Sequence, residues 1–291
     1  MYSELFAIIA PVLICAGIGF IWARRGRAFE TEFVTNLVTM VGAPCLIAST
    51  LTGLEIPLDA LGEVAIASLT ATAGFALLGM AVLRVMKLPF HSFLPALMFP
   101  NTGNMGLPLC LFAFGEAGLA FAIIIFALTA TLQFTVGIAI VSGSFSLKRF
   151  VTMPILYAVA FSVIVIATGW TVPAWIANTI DLLGGVTIPM MLLALGVSLA
   201  RLRVTTIHRA LILSLVRLAG GAAVGYGVGI LFDFSDLARG VVLIQATMPV
   251  AVFNYLFAQY YSRQPEQVAG MVMLSTILSF LTLPLLLWTV L

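Results

Sequence analysis

The chain has 291 residues, of which 62% are hydrophobic and 8% charged, and its formal net charge is +2. Soluble domains carry roughly 25% charged residues, so this composition excludes one; apolar surface on this scale belongs in lipid. The net charge is too small to suggest a nucleic-acid partner, and the charges inform by their positions.

A membrane-crossing helix needs about 20 mostly apolar residues. Ten such stretches follow one another, at 3–23, 33–51, 61–83, 91–114, 117–142, 151–170, 176–199, 209–231, 238–261 and 267–290. The connections are short and leave no room for a separate soluble domain. The sequence therefore predicts an all-α polytopic membrane protein with ten transmembrane helices. The first stretch reads as a span and not as a secretory signal, because the acid Glu4 stands at its start, before the apolar run, and its basic cluster follows it.

The loops after the odd-numbered stretches hold Arg24, Arg25 and Arg27; Arg84 and Lys87; Lys148 and Arg149; Arg201, Arg203 and Arg209; and Arg263. These are 11 of the 13 basic residues. The other loops are mostly acidic, with Glu55, Asp59, Glu63, Glu116, Asp233 and Asp236, and Arg239 as the basic exception. Positive loops mark the cytoplasmic side. Both termini are expected on the opposite side.

The two halves, 1–143 and 150–291, resemble each other. Residues 36–53 read NLVTMVGAPCLIASTLTG and residues 181–198 read DLLGGVTIPMMLLALGVS, which aligns Asn36 with Asp181 and Pro44 with Pro189. Pro100 in the fourth stretch falls against Pro249 in the ninth. Five spans per half make the repeats inverted. Inverted repeats with broken helices at the midplane are a signature of secondary transporters.

Pro100-Asn101-Thr102-Gly103-Asn104-Met105-Gly106-Leu107-Pro108 cannot form a continuous lipid-facing helix, since proline removes a donor and clashes with the preceding turn. The freed backbone groups need partners in hydrocarbon. Gln245-Ala246-Thr247-Met248-Pro249-Val250-Ala251-Val252-Phe253-Asn254 is broken in the same way. Where two such breaks cross, two helix N-termini converge and suit a carboxylate without a buried Lys or Arg. Asn101, Asn104 and Asn254 are the first candidates for polar ligand contacts, with helix capping as the rival role. Thr102, Gly103, Pro100, Pro249 and Val250 complete the candidate site, and Gln133 and Gln245 are its candidate supports.

Asp181 and Arg217 are the ionisable groups placed well inside a span, and such groups are functional candidates by default. Against that, Asp181 can reach water and Arg217 can snorkel. Gly221, Gly225 and Gly229 form a small-residue face for close helix contact. Cys15, Cys45 and Cys110 read as buried thiols, and no metal or cofactor motif is present. No catalytic constellation is present either, so the chain does not read as an enzyme.

NTGNMGLPL followed by Phe114-Gly115, QATMP followed by YLFAQYY, and IPMMLLALGVSLA resemble the auxin efflux carrier family, which includes plant auxin exporters and bacterial organic-acid carriers. The resemblance runs over the whole chain and is to the compact bacterial form, which implies the bacterial inner membrane. It also implies a scaffold from spans one, two, six and seven, a transport domain from spans three to five and eight to ten, elevator-type alternating access and a homodimer. The family's crossover Pro-Asn carries over to Pro100 and Asn101, its second crossover proline to Pro249 and its buried amide to Gln133. This chain departs from the plant exporters in having Gln259 where they have Lys, and Val250-Ala251 where they have Gln-Gly.

The expected function is secondary transport of a small organic anion, such as a mono- or dicarboxylate. A sodium-coupled symporter of the bile-acid type and a cation/proton antiporter are the alternatives, so the coupling ion, proton or sodium, stays open.

Overall fold

A computed structural model describes residues 2–53, 57–202 and 207–291. Glu55 and Arg203 of the loop pattern lie outside the described residues. The described residues form helices joined by short connections. We number the helices α1 (Tyr2–Arg24), α2 (Thr31–Thr52), α3 (Leu58–Val85), α4 (Phe90–Met98), α5 (Thr102–Ser142), α6 (Pro154–Thr168), α7 (Ala174–Arg201), α8 (Ile207–Leu231), α9 (Asp236–Thr247), α10 (Val252–Tyr260) and α11 (Pro265–Val290). A short helix, Leu147–Val151, precedes α6.

Seven of these, α1, α2, α3, α5, α7, α8 and α11, are long and apolar enough to cross a membrane. The sequence suggests ten stretches, and the difference has local causes. The 41-residue α5 contains parts of two stretches and is divided at Gly115, whose φ of 67° and ψ of −160° no helix has. The stretches at 91–114 and 238–261 are each split at a proline, so α4, α9 and α10 have 9, 12 and 9 residues. Helix α6 is apolar but has only 15 residues.

Lipid supplies no hydrophobic drive between helices, so close packing must hold them together. Helix α1 lies along α7. A Cβ on Gly19 would strike the Leu193 carbonyl, and one on Gly196 the Ala16 carbonyl, so only hydrogen fits at either position. Helix α2 packs on α6 and α7, with Gly184 against the Leu46 backbone. Helix α8 packs on α3, α9 and α11. Its glycine file faces α9: a Cβ on Gly221 would meet the Ala246 carbonyl, and one on Gly225 the Ala246 side chain. Of the three free cysteines only Cys110 is buried; Cys15 and Cys45 are half-buried, because those helix faces are only partly covered.

Among the described residues there are three π-helical turns: Val38–Gly42 and Gln133–Gly137 interrupt α2 and α5, and Thr102–Gly106 opens α5. Such turns are frequent at functional sites. All three border one internal cavity.

Candidate binding site at the helix crossing

Helix α4 stops at Met98 because Pro100 can neither donate to a helix nor tolerate a helical residue before it. Phe99 is accordingly extended, with φ −106° and ψ 101°. Helix α9 stops at Thr247 for the same reason, and Met248, before Pro249, has φ −58° and ψ 147°. The two extended segments cross antiparallel in a bridge between Pro100 and Val250. Asn101 donates its backbone N–H to the Pro249 carbonyl at 2.7 Å, and Ala251 to the Phe99 carbonyl at 3.2 Å. Val250 donates to Ser275 Oγ at 3.0 Å. Each break thus supplies partners for the backbone groups of the other, as a hydrocarbon setting demands.

Four helix ends meet here. The C-termini of α4 and α9 lie on one side of the crossing, and Arg217 of α8 collects them. Its guanidinium donates to the carbonyls of Leu97 at 3.0 Å, Ala246 at 2.5 Å and Met248 at 3.3 Å, and sits 4.2 Å from the Phe75 ring centroid. Arg217 is 2% exposed, so it does not snorkel. A guanidinium always bears a proton, and its fork of donors suits converging carbonyls.

The N-terminal turns of α5 and α10 face the other way and line a cavity of about 60 Å³. Pro100, Asn101, Thr102, Gly103 and Asn104 form one wall, with Ala251 and Phe253 beside them. Thr35 and Thr39 of α2, and Met191 of α7, also line it, with Met191 packed against Gly103. The first turn of any helix has N–H groups without intrahelical partners and a partial positive charge. Asn101 is 5% exposed, and its Nδ2 has no hydrogen-bond partner among the described residues. A buried amide donor without a partner is uncommon, and this one belongs to a residue on the cavity wall. Among the described residues no Asp, Glu, Lys or Arg lines the cavity.

Gln133 also lines the cavity and donates through Nε2 to Asn254 Oδ1 at 3.0 Å. Asn254 donates in turn to the Phe99 carbonyl at 3.0 Å. Both ends of the Asn254 amide are therefore engaged inside the protein, one layer behind the wall. Gln245 packs against Gly106, where a Cβ would collide with its Oε1, and its Nε2 lies 3.8 Å from Cys110 Sγ. Pro249 and Val250 are buried in the crossing itself and do not face the cavity. Asp181 and Gln259 are exposed and line neither this cavity nor the larger one beside it.

That larger cavity, about 590 Å³, is bordered by Glu32, Thr152 and Tyr260 and shares Thr35, Thr39, Phe134, Ile155 and Phe253 with the smaller one. Phe134 and Phe253 meet edge to face, with ring centroids 4.9 Å apart, where the two cavities adjoin.

Paired broken helices crossing around a cavity inside a multi-pass helical bundle define a membrane transporter. The chain belongs to the membrane transport protein family, known also as the auxin efflux carrier family: the family profile matches residues 139–287. It is similar to an uncharacterized transporter of Methanocaldococcus jannaschii, 27% identical over 226 residues covering 74% of this chain and 73% of the relative. It is also similar to an uncharacterized transporter of Methanothermobacter thermautotrophicus, 32% identical over 198 residues covering 65% of this chain and 64% of the relative.

Proposed function

We propose that this protein is a secondary transporter of a small organic anion whose carboxylate sits in the cavity at the crossing. One observation carries the reading: two helix N-termini and the unpartnered Asn101 amide converge on a cavity that no charged side chain among the described residues lines. An unpaired buried donor on a residue of the cavity wall calls for an acceptor. A carboxylate supplies two oxygens and one negative charge, which favours the positive end of a helix dipole. Thr102, Gly103 and Asn104 complete its surroundings, and Gln133 and Asn254 hold the crossing rigid behind it.

Ten spans in two inverted halves, 1–143 and 150–291, fit the helices when each broken pair counts as one span and α5 as the end of one and the whole of the next. A scaffold of α1, α2, α6 and α7 is supported by their mutual packing. The cavity lies between that group and the crossing, as an elevator motion of the remaining helices requires. The larger cavity opens beside Glu32, Thr152 and Tyr260, which adjoin the loops rich in Lys and Arg. By the positive-inside rule this conformation is open to the cytoplasm and both termini lie outside it. A homodimer in a bacterial inner membrane, with proton or sodium as possible coupling ion, completes the proposal.

The test is thermal unfolding of the purified protein against a panel of carboxylates, each with and without sodium. A ligand that binds only the folded state raises apparent stability by mass action. A rise with at least one carboxylate is expected, and its sodium dependence identifies the coupling ion. A rise only with cations or neutral solutes would overturn the anion reading.

A further inference from the structure

We propose that Arg217 sets the charge of the cargo at one, so that the site accepts monoanions and discriminates against dianions. The inference rests on the carboxylate reading above and narrows it to a substrate class.

The charges at the crossing can be counted. Two helix C-termini, of α4 and α9, and two N-termini, of α5 and α10, converge there. Each end carries roughly half an elementary charge, negative at a C-terminus and positive at an N-terminus. The two negative ends together come to about −1. Arg217 brings +1, and its hydrogen bonds go to Leu97 of α4, to Ala246 of α9 and to Met248 just beyond it. That side of the crossing is balanced permanently. The two positive ends come to about +1 and face the cavity. The buried Asn101 Nδ2 adds a neutral donor without adding charge.

One negative charge completes this set. A second has no counter-charge: among the described residues neither Lys, Arg nor His lines the cavity. An unpaired charge inside a membrane protein is expensive, because nothing replaces its hydration. The same count explains how an anion site can operate without a basic side chain in its wall. The basic residue is on the far side of the crossing, holding the opposite helix ends.

The experiment uses matched pairs that differ by one charge at equal chain length: malonate, succinate, glutarate and adipate, each with its monomethyl ester, and simple monocarboxylates as a reference. Thermal unfolding of the purified wild-type protein is followed at pH 8, where the diacids carry two charges. For any pair that binds, the monoester is expected to stabilise at a concentration at least tenfold lower than its diacid. A diacid that stabilises at an equal or lower concentration than its monoester would overturn the charge limit and leave the anion reading standing. Failure of every carboxylate would overturn the anion reading and this inference with it. A second arm assigns the effect to Arg217. Arg217→Lys should keep the preference for the monoester over the uncharged dimethyl ester, and Arg217→Gln should lose it. Should Arg217→Gln not fold, the Lys variant decides: the positive charge without the guanidinium fork must still reject the diacid. An unchanged preference in a folded Arg217→Gln protein, or a lost one in Arg217→Lys, would remove Arg217 from the role.

Discussion

Asn101→Ala is expected to raise the carboxylate concentration needed for stabilisation roughly tenfold to a hundredfold while leaving the unliganded protein as stable as the wild type, or more so. The Asn101 backbone bonds to Pro249 whatever the side chain is, so the crossing survives the change. The Nδ2 it removes is buried and unpartnered. A buried donor without an acceptor costs about 1–3 kcal/mol, so its removal relieves the apo state. In the complex the same donor meets an ionised oxygen, and such bonds contribute about 1.5–3 kcal/mol, or roughly tenfold to a hundredfold in affinity. Asn254→Ala separates the two roles. It strands the Gln133 amide and takes from the Phe99 carbonyl one of its two donors, leaving the Ala251 N–H, and should lower the melting temperature without ligand. Thermal unfolding of both variants, with and without ligand, checks the contrast. A destabilised apo Asn101→Ala protein would make Asn101 a structural residue like Asn254.

Arg217→Met is expected to reduce stability by about 3 kcal/mol or more, the largest loss from any single side chain at the crossing. Methionine fills similar space but leaves the carbonyls of Leu97, Ala246 and Met248 without their donor. Each stranded buried group costs about 1–3 kcal/mol, and no water in the hydrocarbon region replaces the lost partner. The two negative helix ends also lose their counter-charge. Arg217→Lys should retain part of the stability, since an ammonium has three donors but not the planar fork that spans carbonyls from two helices. Denaturant or thermal unfolding in detergent measures both. A melting temperature within a degree or two of wild type for Arg217→Met would show that the carbonyls find other partners.

The breaks at Pro100 and Pro249 are legible in sequence because proline acts locally: it ends a helix by its own ring and missing N–H. The wall formed by Asn101, Thr102, Gly103 and Asn104 follows from the first break, since those residues must begin the next helix. What joins the breaks is not legible. Gln133 and Asn254 are 121 residues apart, and Arg217 reaches Leu97 across 120. In sequence a lone arginine in an apolar run looks the same whether it snorkels or captures two helix ends. An asparagine beside a break likewise looks the same whether it lines the cavity, as Asn101 does, or is held behind the wall, as Asn254 is. Thr35 and Thr39 escape notice for another reason. Hydroxyls in apolar helices bond to their own backbone, as Thr39 does to the Thr35 carbonyl at 2.8 Å, so their presence carries no signal of a cavity. Gly115 ends the first part of α5 with a positive φ, but glycine is frequent enough among the 25 in this chain that its backbone angle has to be observed.

Counterflow in proteoliposomes tests the central claim most directly. Vesicles are preloaded with a carboxylate that stabilises the protein, and uptake of a labelled trace of the same compound is followed. Transient accumulation above equilibrium is predicted for the wild type, with far less for Asn101→Ala. Absence of accumulation with every carboxylate in a folded, reconstituted wild-type protein would contradict organic-anion transport, and equal accumulation by Asn101→Ala would contradict the site.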